Sequence, residues 1–214
     1  MTPLITGGNR GIGAALAETL TAQSHDVIAT SRDGSTGIRM DVTDPASITA
    51  LANTLAGRTI DTLVCNAGVY LDKGHDVAAG YAPELWSQTF AANVTGVFLS
   101  VHAFLPILKQ AAMPKIAIIS SQMGSSTKAS GSSLIYRTSK AAALNLGLNL
   151  ANALKPDGIA VGIYHPGWVR TDMGGSAADI SMEEAATGLA ERIGSLSLMT
   201  TGCFENWDGR PHPI

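Results

Sequence analysis

Short apolar runs alternate with longer helical segments from one end of this chain to the other, and that alternation restricts its architecture more than any other feature. Residues 3–6 read as a strand, and 11–23 as a helix with Ile12, Ala15, Leu16 and Leu20 on one face. Residues 27–30 and 38–40 are two further strands, after which Thr43-Asp44-Pro45 starts a helix with proline at its first helical position. A fourth strand, 63–65, runs into Asn66-Ala67-Gly68, and a long helix over 84–110 is expected to bend or break near Pro106. A strand at 116–120, a helix at 132–154, a strand at 161–164, a helix at 183–193 and a strand at 201–205 complete the series. Strands separated this regularly by helices lie parallel, with both sheet faces covered. The expected fold is α/β: one Rossmann-type doubly wound parallel sheet of about seven strands, helices on both faces, in a single domain over 1–214.

The segment Thr6-Gly7-Gly8-Asn9-Arg10-Gly11-Ile12-Gly13 falls between the first strand and the first helix. Glycines there let the backbone turn sharply and approach a pyrophosphate, while the helix N-terminus supplies N–H groups and positive potential. The spacing of Gly7, Gly11 and Gly13 is G-x-x-x-G-x-G, and the bland alternative is a tight turn. The second strand ends in Thr30-Ser31-Arg32, where this kind of fold meets the adenosine ribose. No carboxylate stands at Ser31, while Arg32 and Arg10 could grip a 2′-phosphate through their forked guanidinium groups. NADP(H) is therefore preferred to NAD(H), with Asp33 one residue further on as the opposing sign and two solvated surface arginines as the alternative.

Tyr136 and Lys140 are four residues apart at the start of a helix, which puts phenol and ammonium on one face. An unperturbed phenol, with a pKa of about 10, exchanges protons poorly near neutrality. Lowering it by about 3 units needs roughly 4 kcal/mol of preferential stabilisation of the phenolate. A neighbouring ammonium and the positive charge of an oxidised nicotinamide could supply much of that. Alone, the spacing is a common accident.

Taken in order, these residues resemble the short-chain dehydrogenase/reductase family. The match comprises the nucleotide loop at 6–13, the Asn66-Ala67-Gly68 turn, Asn93, Ser121, Tyr136-x-x-x-Lys140 and Pro166-Gly167-Trp168-Val169-Arg170-Thr171. The resemblance implies an NAD(P)-dependent oxidoreductase, with Tyr136 exchanging a proton with the carbonyl or alcohol oxygen. Lys140 would lower the tyrosine's pKa and bind the nicotinamide ribose, Ser121 would hydrogen-bond the substrate oxygen, and Asn93 would hold a water linking Lys140 to solvent. Ser120 is the adjacent alternative to Ser121. For the cofactor, the resemblance implies Gly7, Asn9, Arg10, Gly11, Ile12, Gly13, Ser31 and Arg32 along the first two loops. Asp41 and Val42 would meet adenine, Asn66, Ala67 and Gly68 the adenosine ribose, and Pro166, Gly167, Val169 and Thr171 the nicotinamide end, beside Tyr136 and Lys140. Within the family, the sequence is similar to the C-factor or sniffer-type carbonyl reductase branch. That leaves a dinucleotide-binding signalling protein with little turnover as the competing function. A sugar-nucleotide epimerase shares the Tyr-Lys spacing but fits the short C-terminal part poorly.

Other features exclude more than they assign. A net charge of −3 offers no basic face for nucleic acid or an anionic membrane. The most apolar stretches carry polar breaks, so no membrane span is expected. Two isolated cysteines, Cys65 and Cys203, suggest a reducing compartment, and the opening residues lack a secretion signal, so a cytoplasmic location is expected. The five histidines are scattered and no metal site is expected. His165, beside the Pro166-Gly167 turn, is either a strand-end residue or part of the site. Only 14% of residues are charged, against about 25% typically. Small residues at Ala142, Ala143 and Gly147 would permit close helix–helix approach, and the family resemblance implies that this helix and the long one before it pair across a two-fold axis, giving a homodimer or homotetramer that acts on a small carbonyl or alcohol. The segment between Thr171 and Glu183 is short and rich in Gly, Ser and Ala, and is expected to form an open rim.

Overall fold

The structure, a computed structural model, describes all 214 residues. Seven parallel strands form one sheet: β1 (Pro3–Ile5), β2 (Ile28–Ser31), β3 (Ile38–Arg39), β4 (Thr62–Cys65), β5 (Lys115–Ile119), β6 (Ala160–His165) and β7 (Phe204–Asn206). Their spatial order is β3-β2-β1-β4-β5-β6-β7, with Leu4 between Ile28 and Leu63 in register. The chain leaves β1 towards β2 and β3, then returns to the other side of β1 for β4. That reversal opens a crevice at the carboxyl ends of the central strands, where doubly wound sheets bind ligands. All four residues of β4 and all six of β6 are buried, as strands covered on both faces must be.

The helices are α1 (Gly11–Ala22), α2 (Pro45–Thr54), α3 (Pro83–Phe90), α4 (Gly96–Leu108), α5 (Leu134–Leu154) and α6 (Met182–Ser195). Leu16 and Leu20 of α1 pack with Leu189 and Ile193 of α6 over Ile5, Val64 and Tyr164 on one face. On the other face Ile48, Val101, Phe104 and Leu154 close over Leu4, Leu63, Ile116 and Val161. The buried side chains of α5, from Ile135 and Tyr136 through Ser139, Lys140, Ala143 and Leu144 to Gly147 and Ala151, recur every three or four residues.

Three expectations are corrected. The long helix is interrupted by a π-helical turn over Ala91–Thr95 around Asn93, not at Pro106, which lies within the last turn of α4. The last strand begins at Phe204 rather than 201, because Gly202 takes a left-handed turn at φ 84°. Gly147 does not serve helix–helix approach: a Cβ there would stand 2.5 Å from Ile163 Cγ1, so the glycine lets α5 sit down on β6. Pro83–Leu108 taken as one helix is long and apolar enough by length and composition to cross a membrane. Half of its most apolar stretch is nevertheless buried inside the protein, and Val97, Val101, Phe104 and Leu108 belong to the main core.

Candidate active site

A cleft of about 650 Å³ opens at the carboxyl ends of β1, β2 and β4–β6, and most of the sequence-predicted site residues line it. Its floor is built largely of backbone. Gly7 and Gly11 adopt φ of 64° and 55°, which side chains other than glycine rarely tolerate. A Cβ on Gly13 would come within 2.2 Å of the Gly7 carbonyl oxygen. The loop is stitched to the Asn66-Ala67-Gly68 turn: Asn66 Nδ2 donates to the Thr6 and Gly7 carbonyls, and Thr6 Oγ1 accepts the N–H groups of Asn66 and Ala67 at 3.0 Å. No side chain caps the start of α1 and no acidic residue lies in its first turn, so the N–H groups there face the cleft for an anion. Asn9 and Ile12 line the same wall, and Asp41 and Val42 the far one.

The outer end fits a 2′-phosphate. Arg32 and Arg10 both line the cleft and are exposed, with Arg10 3.4 Å from Asp172. Ser31, expected at the cofactor, is fully buried beneath the cleft and does not line it. The opposing carboxylate, Asp33, is folded into its own turn. Its Oδ1 accepts the Ser35 N–H at 3.0 Å and hydroxyl at 2.7 Å, and these bonds hold its pKa below the usual carboxylate value.

At the inner end α5 presents Tyr136 and Lys140. Lys140 Nζ donates to the Ile119 carbonyl at 2.9 Å and lies 5.7 Å from the Tyr136 ring centroid. Burial pushes the phenol up to about 12 and the ammonium down to about 8, because a dry site disfavours both charges. The Ser121 hydroxyl opposes the first shift by favouring phenolate. The pair by itself therefore does not produce the lowered tyrosine pKa expected from the sequence. Strand alternation separates the two serines: Ser120 Oγ donates to the Lys140 carbonyl at 2.9 Å, while Ser121 Oγ accepts the Met123 N–H at 3.1 Å and lies close enough to Tyr136 to favour its phenolate, though Ser120 rather than Ser121 lines the cleft. Asn93 is 1% exposed, and its amide hydrogens go to the Val69 carbonyl and Ser139 Oγ, while its Oδ1 accepts the Val69 N–H.

Pro166 and Thr171 line the inner end of the cleft, whereas Val169 is buried behind it and Gly167, at φ 89°, does not line it either. Val169 bridges to Ile180, so the short rim segment is anchored at its far end. His165 is buried beside His212 with Nδ1 unpartnered, and burial depresses its pKa to about 4. It is not among the cleft-lining residues and reads as a strand-end residue.

Three residues escaped sequence reasoning. Met173 Sδ lies 3.9 Å from the Tyr136 hydroxyl. The ring of Tyr70 stacks on that of Tyr136, centroids 4.3 Å apart, and its hydroxyl hydrogen-bonds Ser133. Asp72 is fully buried against the start of α5. Tyr70 and Asp72 closely follow the Asn66-Ala67-Gly68 turn, but no spacing rule ties them to a helix more than 60 residues later.

Parallel topology, glycine loop and Tyr-Lys helix together define a dinucleotide-binding oxidoreductase class. The short chain dehydrogenase family model matches residues 2–180, and the chain belongs to that family. It is 34% identical to the 1-hydroxy-2-glutathionyl-2-methyl-3-butene dehydrogenase of Rhodococcus sp. (strain AD45), over 97% of each chain. It is also 34% identical to the C-signal protein of Myxococcus xanthus, over 77% of this chain and 98% of that one. The fold superposes on the NADPH-bound carbonyl reductase from chicken fatty liver with a TM-score of 0.91, at 31% identity, covering 100% of this chain and 98% of that structure. C-signal and a carbonyl reductase are the kinds of relative that the sequence resemblance pointed to.

Proposed function

We propose that this protein transfers hydride between NADP(H) and a small carbonyl or alcohol, with Tyr136 as proton donor. The observation that carries the reading is the buried Tyr136 phenol beside Lys140 at the inner end of the cleft. Bound NADPH supplies the hydride. Gly7, Asn9, Gly11, Ile12 and Gly13 would hold the pyrophosphate through backbone N–H groups, while Arg10 and Arg32 would take the 2′-phosphate. Asp41 and Val42 flank adenine, and Ala67 and Gly68 pass beneath the ribose on the turn that Asn66 secures. Pro166 and Thr171 would hold the nicotinamide end.

Ser121 donates to the substrate oxygen as negative charge grows there, and Tyr136 delivers the proton. Lys140 keeps two N–H donors beyond its bond to Ile119, enough for the ribose and a water. With its hydrogens committed, Asn93 can receive that water only at the second acceptor position on Oδ1. Oxidised nicotinamide, when bound, would add its positive charge to that of Lys140 and so lower the phenol's pKa from its buried value.

Four features support the rest of the reading. The 34% match to a dehydrogenase of a glutathionyl alcohol and the carbonyl-reductase fold favour turnover. The exposed Phe98 on α4 favours a homodimer or homotetramer through α4 and α5. The two unpaired cysteines favour the reducing cytoplasm. The similarity to C-signal keeps one second reading, a dinucleotide-binding signalling protein. The test is NADPH oxidation with a panel of small carbonyls. Turnover that Tyr136→Phe abolishes without loss of NADPH binding supports the enzyme, whereas equal rates in both proteins overturn the mechanism.

A further inference from the structure

The helix that carries Tyr136 begins without a local cap. Ser133, at the cap position, sits in the left-handed region at φ 54° and makes no side-chain bond to the helix. The first N–H groups of any α-helix lack intrahelical partners and must find others when buried. Here the partner comes from 63 residues earlier: Asp72 Oδ2 accepts the N–H of Ile135 at 2.8 Å, and Oδ1 accepts that of Tyr136 itself at 3.2 Å. Asp72 is 0% exposed and makes no ion pair with any lysine or arginine. Its compensation is the two N–H groups and the positive end of α5. A buried acid with so few partners is an expensive way to cap a helix.

The segment that carries Asp72 is gripped at both ends. Asn93 clamps the Val69 backbone on the cofactor side, while Tyr70 stacks on the Tyr136 ring and bonds Ser133 on the catalytic side. Val69 to Asp72 thus bridges the cofactor floor at Gly68 to the first turn of α5.

We propose that Asp72 is a positioning residue for proton transfer: its two carboxylate oxygens hold the N–H groups of Ile135 and Tyr136, one each, and so set the phenol's reach over the nicotinamide end of the cleft. The proposal rests on Tyr136 being the proton donor. A misplacement of about 1 Å at such a site can cost about 100-fold in rate. Asp72 meets neither cofactor floor nor phenol directly, so the loss falls on turnover and spares binding.

The experiment compares wild type, Asp72→Ala, Asp72→Asn and Tyr136→Phe for NADPH affinity by fluorescence, and for kcat and KM with one reducible carbonyl. Asp72→Ala is expected to bind NADPH within about twofold of wild type, with KM similarly kept, while kcat falls about 100-fold. Asp72→Asn, which keeps a carbonyl acceptor, is expected to recover part of that loss. If Asp72→Ala does not fold, the isosteric Asp72→Asn carries the test, with kcat reduced at unchanged NADPH affinity. A wild-type kcat in folded Asp72→Ala, or in Asp72→Asn when the alanine variant is lost, overturns the proposal. So does a parallel fall in NADPH affinity and kcat, which would mark a general structural role. Activity lost in Tyr136→Phe but kept in the Asp72 variants overturns this proposal alone. Full activity in Tyr136→Phe, or no turnover by the wild type, overturns it together with the reading on which it rests.

Discussion

The two ends of the cleft are built from different materials. The floor that would receive the pyrophosphate is backbone, shaped by Gly7, Gly11 and Gly13 within a single eight-residue loop and tied down by Asn66. The catalytic end is side chains, and each is set by a partner far away in sequence: Asn93 by Val69 and Ser139, Lys140 by Ile119, and Tyr136 by Tyr70 and Asp72. Backbone donors need only the right dihedral angles, which local glycines secure. A buried phenol and ammonium need an environment, and only long-range packing supplies one.

Breaking each end separately should give opposite kinetic signatures. Tyr136→Phe is expected to lower kcat by about 10²–10⁴-fold, the usual worth of a positioned acid, with NADPH affinity kept. The pH dependence tests the catalytic end without a mutation. The Tyr136 phenol, pushed up to about 12 by burial, should stay protonated in the free protein through pH 10. In an ultraviolet difference titration against Tyr136→Phe, oxidised NADP should bring its ionisation down by units, and no shift would remove the proposed electrostatic role.

Beneath the catalytic end, His165 is held neutral with a pKa near 4, below its unfolded value of about 6.5. The unfolded chain binds the proton more readily, so the native state is fully favoured above pH 6.5 and loses about 3 kcal/mol as pH falls towards 4. Denaturant melts of wild type and His165→Gln should show that acid-side loss only in the wild type. At the floor, Gly13→Ala forces a methyl to within 2.2 Å of the Gly7 carbonyl oxygen. A cost of about 1–3 kcal/mol is expected to appear in NADPH affinity and melting temperature, with kcat at saturating cofactor little changed. Arg32→Ala should have the smallest effect, because the guanidinium is solvent-exposed. It is expected to raise KM for NADPH about tenfold while leaving NADH unchanged. An equal effect on both cofactors would mean that Arg32 does not read the 2′-phosphate.

The comparison also explains what was legible in advance. Elements with a strong local signal were read nearly residue for residue: the glycine loop, the Tyr136–Lys140 helix and the buried strands. The π-helical turn around Asn93 was not, since an extra residue in one turn leaves no mark on hydrophobic periodicity. Ser120 and Ser121 were separable in principle by strand alternation, but which faced Tyr136 depended on where β5 ends. Asp72 and Tyr70 were invisible, because their partners lie more than 60 residues on.

By itself, then, the alternating sequence determined a doubly wound parallel sheet with a nucleotide loop at its switch point, because period, glycine and helix-start signals act over a few residues. Only the tertiary structure decided that burial drives Tyr136 and Lys140 apart, to about 12 and about 8, and that a buried carboxylate from 63 residues earlier holds the helix on which both stand. Burial and long-range hydrogen bonds arise when the chain closes on itself, and no spacing along it records them.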